Sequence, residues 1–275
     1  MSDNFKIGLF KSLALLKDYL SEILVVGGWV PYLYYQYYLK DKNIQPLLTK
    51  DIDIALPKIL PVKNKAIADI LKEAGFKENF TSLDELPAIA FYGNIEGHDV
   101  EIEFITDLKG SRDDKNKNIQ KGLIAQPLRY ISVLTENPLL IEIDDFLLED
   151  NNFLKIRIPK PGAFIFHKIL TFRRRKEKAK KAKDLYYIFD ILANCPGLNE
   201  EIINGIKDIR QAHTAWFRQF MNNLNNHIVA ANSDAVYLIT SQKPEKAFAN
   251  LNEEQFKQYI LSIFMEFQKN FKFFA

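Results

Sequence analysis

Cysteine is almost absent. Cys195 is the only one in 275 residues, so no internal disulfide can form, and a reducing compartment, the cytosol, is the expected home. Histidine is also scarce: none of His98, His167, His213 and His227 has a partner at metal-ligand spacing, so no zinc site is suggested. The N-terminal stretch lacks an unbroken apolar run, because Asp3, Lys6, Lys11 and Lys17 interrupt it; it is expected to be neither a signal peptide nor a membrane span, and no membrane partner is expected. Internal repeats and low-complexity tracts are missing too.

What is present is an ordinary globular balance, 47% hydrophobic and 26% charged, with ample material for a core. The net charge of +2 is unevenly spread. Residues 1–150 hold 17 Lys+Arg against 24 Asp+Glu, or −7, and the rest hold 20 against 11, or +9. An acidic first part suits metal binding and a basic second part suits polyanions, with chance asymmetry as the alternative.

The chain is organised around Leu24-Val25-Val26-Gly27-Gly28-Trp29 and, some twenty residues later, Thr49-Lys50-Asp51-Ile52-Asp53-Ile54-Ala55-Leu56. The first reads as a buried strand whose two glycines turn into a helix. The second reads as a strand in which Asp51 and Asp53, two residues apart, share a face. Adjacent carboxylates repel, and a divalent cation with a taste for hard oxygen ligands relieves them. N–H groups at a helix start can receive a phosphate. Together the two features suggest phosphoryl or nucleotidyl transfer.

In chain order, the apolar spacing predicts an amphipathic helix over 4–20, a strand at 23–26 and a tyrosine-rich helix over 30–40. Its tyrosines are expected to pack against a sheet rather than stack on a base. A helix follows over 63–74 with Gly75 as its cap. Strands are expected at 89–92 and 99–105 around a turn at Gly93–Gly97, placing Asp99, Glu101 and Glu103 on one face, either as exposed edge residues or as partners of Asp51 and Asp53 in a shared site. Residues 107–121 read as a loop, and 139–143 and 153–158 as short strands. After Pro159-Lys160-Pro161-Gly162 the pattern turns helical over 163–172, 180–192, 200–223 and 253–274, the last opened by Asn252 and Gln255 in capping-box positions.

The diglycine turn, the Asp-x-Asp strand and a later strand carboxylate resemble the nucleotidyltransferases of the DNA polymerase β superfamily. Ile158-Pro159-Lys160-Pro161, then His167-Lys168-Ile169-Leu170, an arginine cluster, and Lys183-Asp184 through Asp190 resemble the AbiEii-like members, a group that includes toxins of bacterial toxin–antitoxin pairs. Three departures stand out: Gly28 where a serine is common, Glu103 where an aspartate is usual, and a long interval between Gly28 and Asp51.

The resemblance implies an α+β fold. A polymerase β-like mixed sheet flanked by helices would form a catalytic domain over 1–158, followed by a helical bundle over 159–275. It implies Mg2+ in a two-ion site held by Asp51, Asp53 and Glu103, with Glu101 as the fallback for the third ligand, and Glu103 as a candidate general base. A nucleoside triphosphate would lie on Gly27, Gly28 and Trp29, with Thr49, Lys50, Lys183 and Asp184 as further nucleotide-binding positions and Lys168 neutralising phosphate charge. Lys168 has a solvated or snorkelling lysine as its alternative, Lys183 with Asp184 a structural pair, and Asp190 a buried hydrogen-bonding role. The segment Arg173–Lys183, basic except at Glu177, Ala179 and Ala182, is either a solvated face or a track for an RNA acceptor. An antitoxin protein is a candidate partner, and a small-molecule or protein acceptor, or a non-catalytic nucleotide-binding protein, is the competing expectation.

Overall fold

The computed structural model describes residues 2–41, 43, 44, 46–80, 89–108, 117–144, 148, 153–244 and 247–271. The fold is α+β and divides into two compact units, Met1–Pro159 and Lys160–Ala275. Among the described residues no helix is long and apolar enough to cross a membrane.

The first unit is built on a mixed sheet. Its strands are β1 (Leu24–Val26), β2 (Asp51–Ala55), β3 (Lys77–Phe80), β4 (Ile89–Ile95), β5 (His98–Asp107), β6 (Lys117–Gln120) and β7 (Leu123–Leu128), in the order β1-β2-β5-β4-β3. Strand β7 lies along the end of β5, with β6 outside it. β2 runs parallel to β5 and antiparallel to β1. Period-two alternation explains the two faces: Ile52, Ile54, Ile102 and Phe104 are buried on one side, Asp51, Asp53, Glu101 and Glu103 line the other. Helix α1 (Ser2–Leu15) packs on β4 and β5, with Leu9, Phe10 and Leu13 fully buried. It approaches so closely that a Cβ on Gly8 would lie 2.8 Å from Val100.

The opposite face is capped at one end by α4 (Ile131–Thr135). Ile131 and Leu134 join Leu24, Val26, Ala55 and Ile105 in a small apolar cluster. Beyond that cluster, β8 (Leu139–Ile143) and β9 (Leu154–Ile158) form a two-stranded antiparallel sheet.

Several boundaries differ from the sequence pattern. The helix expected over 4–20 stops at Leu15 and is followed by a 3-10 turn, Lys17–Tyr19. The tyrosine-rich segment is not one regular helix. Gly27–Trp29 forms a 3-10 turn, α2 spans Val30–Leu33, and Tyr34–Tyr38 makes a π-helical turn. Tyr32, Tyr34 and Tyr35 are buried, as expected of packing tyrosines, and the Tyr34 hydroxyl donates to the Pro159 carbonyl at 2.8 Å. Helix α3 (Ile67–Glu73) starts late because the chain before it is tied elsewhere: the Lys63 N–H donates to the Tyr19 hydroxyl, which donates to the Lys65 carbonyl. It ends as foreseen at Gly75, whose φ of +87° supports a Schellman pair, Phe76 N–H to Leu71 O and Gly75 N–H to Lys72 O. Most of the loop expected over 107–121 lies outside the described residues; its last part, Lys117–Gln120, is strand β6.

The second unit is helical. Helix α5 (Pro161–Thr171) is buried from Pro161 to Leu170. Helix α6 (Lys178–Asn194) follows an exposed basic link. The stretch expected as one helix over 200–223 breaks at His213 into α7 (Asn199–Ala212) and α8 (Thr214–His227), because His213 adopts φ −138° and ψ 59°. Helix α9 (Asp234–Thr240) has too short a period to be legible, and α10 (Glu253–Lys269) opens with the expected capping box, Asn252 and Gln255 each accepting the other's backbone N–H. The last residues expected in α10, 272–274, lie outside the described residues.

Gln120 holds the segment that leaves β2. Its Nε2 donates to the Leu60 and Pro61 carbonyls at 3.0 and 3.1 Å, and its Oε1 accepts the Ile67 N–H at 3.1 Å, all buried or half-buried. Replacing it strands those groups, each costing about 1–3 kcal/mol when left unsatisfied. Gln120→Ala is expected to lower stability by about 2–3 kcal/mol in urea unfolding, and a change within error would show the loop to be held by other means.

Candidate active site

Registers place the acids. Across the parallel ladder Asp51 stands beside Glu101 and Asp53 beside Glu103; across the antiparallel ladder Val26 stands beside Asp53. Residues paired across a ladder project to the same side of the pleat. Four carboxylates therefore share one face of two central strands, all four half-buried. Like charges placed side by side destabilise a sheet, so this arrangement asks for a countercharge. Hard carboxylate oxygens fit a divalent cation of the magnesium type. Among the described residues no three or more His, Cys, Asp or Glu side chains are already drawn into a group able to hold a metal ion, so the fit rests on the donor chemistry and the two side-by-side pairs.

The diglycine corner meets the second of these acids. Gly27 has φ +72°, in the left-handed region that favours glycine, and a Cβ there would fall 1.8 Å from Asp53 Oδ2 and 2.7 Å from its Cγ. The glycine is therefore needed twice, for its conformation and for the room it gives the carboxylate. Gly28 and Trp29 are buried, and the indole of Trp29 packs edge-on against Tyr32 with ring centroids 5.6 Å apart. Trp29 Nε1 is buried without a hydrogen-bond partner among the described residues. Thr49 and Lys50 lie in the loop just before β2, Lys50 exposed.

The two glutamates differ in their surroundings. Tyr92, opposite Glu101 on β4, donates its hydroxyl to Glu101 Oε1. That hydrogen bond to an anion, aided by burial and by the charges of Glu101 and Glu103, pushes the Tyr92 phenol up to about 12. Glu103 instead lies between Asp53 on β2 and Ala90 on β4. The sequence pattern gives Tyr92 a strand position and no role in the site. The signal that finds it is the hairpin turn: Glu96 (φ +51°) and Gly97 (φ +84°) form a two-residue connection, and counting back from it sets Tyr92 against Glu101. The broader turn expected at Gly93–Gly97 hides that pairing. Asp99 stays exposed and accepts from Asn94 at 3.0 Å, an ordinary edge role.

Within the second unit, Lys168, Arg175 and Asp184 form a cluster of their own. Lys168 on α5 is 5% exposed and donates to Asp184 Oδ1 on α6; Arg175 Nε donates to Asp184 Oδ2 at 2.8 Å. The Lys168 ammonium also lies over the rings of Phe164 and Tyr187, at 5.4 and 5.7 Å. It is thus neither solvated nor snorkelling. Asp184, 3% exposed, takes Lys168 and Arg175 as partners rather than its neighbour Lys183, which is half-buried. Burial would push the Asp184 carboxyl up, but the Lys168 and Arg175 charges and hydrogen bonds outweigh it and hold the group below its ordinary range. Asp190 is buried and accepts from Asn194 Nδ2 at 2.8 Å, as a hydrogen-bonding residue does. Arg173, Arg174, Arg175, Lys176, Lys178 and Lys180 are exposed around the junction of α5 and α6.

Comparison with known proteins agrees in class. Residues 13–195 match a family model described as nucleotidyltransferase, well over half of the chain, and the protein belongs to that family. A solved structure described as an antigenic nucleotidyltransferase-like protein from Paracoccidioides brasiliensis is similar at 16% identity with a TM-score of 0.35, covering 78% of this chain and 91% of that one. No curated protein matches.

Because the folded pKa of Asp184 is depressed, its contribution to stability is full above the unfolded value of 3.8 and is lost as pH falls through the folded one. Asp184→Asn leaves Lys168 buried beside a neutral group, and the expected loss at pH 7 is about 3–5 kcal/mol. The gap between variant and native protein should narrow below about pH 4 in denaturant titrations. A gap that is the same at pH 3 and pH 7 would contradict the ion-pair account.

Proposed function

We propose that the protein is a magnesium-dependent nucleotidyltransferase that moves a nucleoside monophosphate from a nucleoside triphosphate to a hydroxyl of an RNA acceptor, in a toxin-type, AbiEii-like role with an antitoxin protein as partner. The observation that supports the nucleotidyl-transfer part of this reading is the pairing of Asp53 with Glu103 across parallel strands, with Asp53 lying against a glycine that leaves room for its carboxylate.

Asp51, Asp53 and Glu103 would hold the magnesium; when bound it neutralises phosphate charge and favours ionisation of the attacking hydroxyl. The backbone N–H groups at Gly27, Gly28 and Trp29 receive the triphosphate, with Thr49 and Lys50 flanking it. The acceptor oxygen attacks the α-phosphorus, the bond to the bridging oxygen of the β-phosphate breaks, and pyrophosphate leaves. Glu103 takes the hydroxyl proton. Glu101 is already committed to the Tyr92 hydroxyl, which favours Glu103 as the third acid. Lys168 and Asp184 act by fixing Arg175 rather than by touching phosphate, and Arg175 with the exposed bases through Lys183 is the surface offered to an RNA backbone. Lys183 itself is a partly buried member of that surface.

The test is incubation of the protein with each α-labelled nucleoside triphosphate, magnesium and total RNA. Label is expected on RNA, and is expected to disappear with chelator. The Asp51→Asn/Asp53→Asn variant should fold normally, judged by its thermal melt, yet transfer on the order of 100–1,000-fold less and lose magnesium-dependent triphosphate binding in calorimetry. Label on a small molecule or on protein, or none at all, would refute the RNA assignment. Unchanged triphosphate binding in the double variant would refute the site. Gly27→Ala, which drives a methyl into Asp53, should reproduce the binding loss without altering any ionisable group.

A further inference from the structure

The helical unit turns an aromatic ring outward beside its basic link. In α9, Ala235, Val236, Leu238 and Ile239 are buried, whereas Tyr237 is 57% exposed. A single exposed aromatic needs no explanation by itself. Its company sets this one apart. Lys178, the first residue of α6, holds its ammonium over the Tyr237 ring at 5.5 Å. One turn further along α6, the Lys181 ammonium lies over the ring of Phe172 at 5.8 Å. Phe172 in turn packs edge-on against His227, with ring centroids 5.8 Å apart. Burial, aided by the charges of Arg173 and Lys181, holds the His227 imidazole below its ordinary value, so both cations lie close to it. Tyr237, Lys178, Lys181, His227 and Arg173 thus form a connected strip within the second unit.

The strip is positive and its charges are not spent on one another's counter-ions. Glu177, the acid within the run Arg173–Lys183, is engaged by Lys180 at 3.3 Å, and among the described residues neither Lys178 nor Lys181 is paired with a carboxylate. Helix α6 also opens with no acid in its first turn, and Lys178, Lys180, Lys181 and Lys183 crowd its first two turns. Cations at a helix start oppose the macrodipole and repel one another, a disfavoured arrangement that a bound anion relieves. On the other side of Tyr237 the charge changes sign. Asp234 lies one turn earlier on α9, and Lys257 of α10, within electrostatic reach of Tyr237, is engaged by Glu253. A polyanion that reaches Tyr237 is therefore led toward Lys181 and Arg173 and not across α10.

Cations alone fit any polyanion, and the ring narrows the choice. Bases stack on exposed aromatic rings, and only an unpaired base has a face to offer; a duplex presents phosphates and groove edges instead. A cation–π contact at an exposed site is weaker than base–ring stacking. An arriving base therefore displaces the Lys178 ammonium from the ring, and the ammonium moves to a neighbouring phosphate. We propose that the RNA acceptor is held as a single strand, with an unpaired base stacked on Tyr237 and the adjoining phosphates on Lys178, Lys181 and Arg173. This deepens the reading of RNA as the acceptor and rests on it for its meaning, though its test does not use the reaction.

The probe is a fluorescently labelled RNA of about ten nucleotides, as a single strand and as a duplex, titrated with the full-length protein by anisotropy over a salt series, without triphosphate or metal. The single strand is expected to bind more tightly than the duplex. Tyr237→Ala, at an exposed position that does not threaten folding, should weaken binding of the single strand about tenfold and leave the salt slope unchanged, because stacking releases no counterion. Tyr237→Phe, which keeps the ring, should bind as the native protein does. Lys178→Gln should instead lower the slope of log K against log salt by about 0.7, the value for one phosphate contact on a single strand. Equal affinity for strand and duplex, Tyr237→Ala binding unchanged or losing affinity only through its salt slope, or Tyr237→Phe as weak as Tyr237→Ala would each overturn the assignment. The two proposals fail separately. Stacking on Tyr237 in a protein that transfers no label keeps the strip and sinks the reaction, while label transfer to an RNA that binds Tyr237→Ala and native protein alike does the reverse.

Discussion

Parallel strands in register set residue beside residue on the same side of the pleat, and between β2 and β5 this puts carboxylate beside carboxylate twice. The register cannot drift to relieve the repulsion. Ile52, Ile54, Ile102 and Phe104 fill the opposite face, and a slip of β2 by one residue would turn Ile52 and Ile54 outward and bury Asp51 and Asp53 instead. Hydrophobic burial under α1, at about 1.5–3 kcal/mol for each large side chain, is thus what holds the charges together. The apolar cluster of α4 on Ala55 and Ile105 closes the acidic face at one end, so the charged region has a definite boundary.

Within that frame the side chains divide their tasks by neighbour. Asp53 is pressed toward a backbone that has no Cβ, and any other residue at 27 would displace it. Glu101 shares a hydrogen bond with Tyr92, while Glu103 sits over the small Ala90. Of the three acids alternating on β5, Asp99 alone has the exposed position that an edge carboxylate would occupy. At Glu101 and Glu103 β5 is paired on both sides, with β2 and β4, whereas at Asp99 only β4 is paired. An exposed edge therefore accounts for the first acid and not for the other two.

Much of this was legible because it is local. Alternation in residues 51–55 and 98–105 reports face directly, a glycine pair after an apolar run reports a tight corner, and Asn252 with Gln255 reports a helix start. What escaped depends on partners distant in the chain. Strands β3, β6 and β7 have short or mixed patterns and become strands by pairing with β4 and β5. The break at His213 has neither glycine nor proline to announce it. The partner of Asp184 was out of reach for the same reason: adjacency in sequence suggested Lys183, whereas on a helix successive residues point about 100° apart and only tertiary packing brings Lys168 across from α5.

That buried cluster bears on how a basic surface can be kept in order. Exposed lysines and arginines repel one another and lose little by moving, so a run of them has no preferred geometry of its own. Arg175 is held from beneath the surface: the buried Asp184 grips its Nε while the side chain remains partly exposed. Desolvating Asp184 is tolerable because two cations share it and Phe164 and Tyr187 flank the Lys168 ammonium. One buried carboxylate thereby fixes the junction of α5 and α6, and with it the point from which the neighbouring charges are displayed. Removing Lys168 would free that junction without changing one exposed residue, so a lysine that never meets solvent can still govern how the surface meets a polyanion.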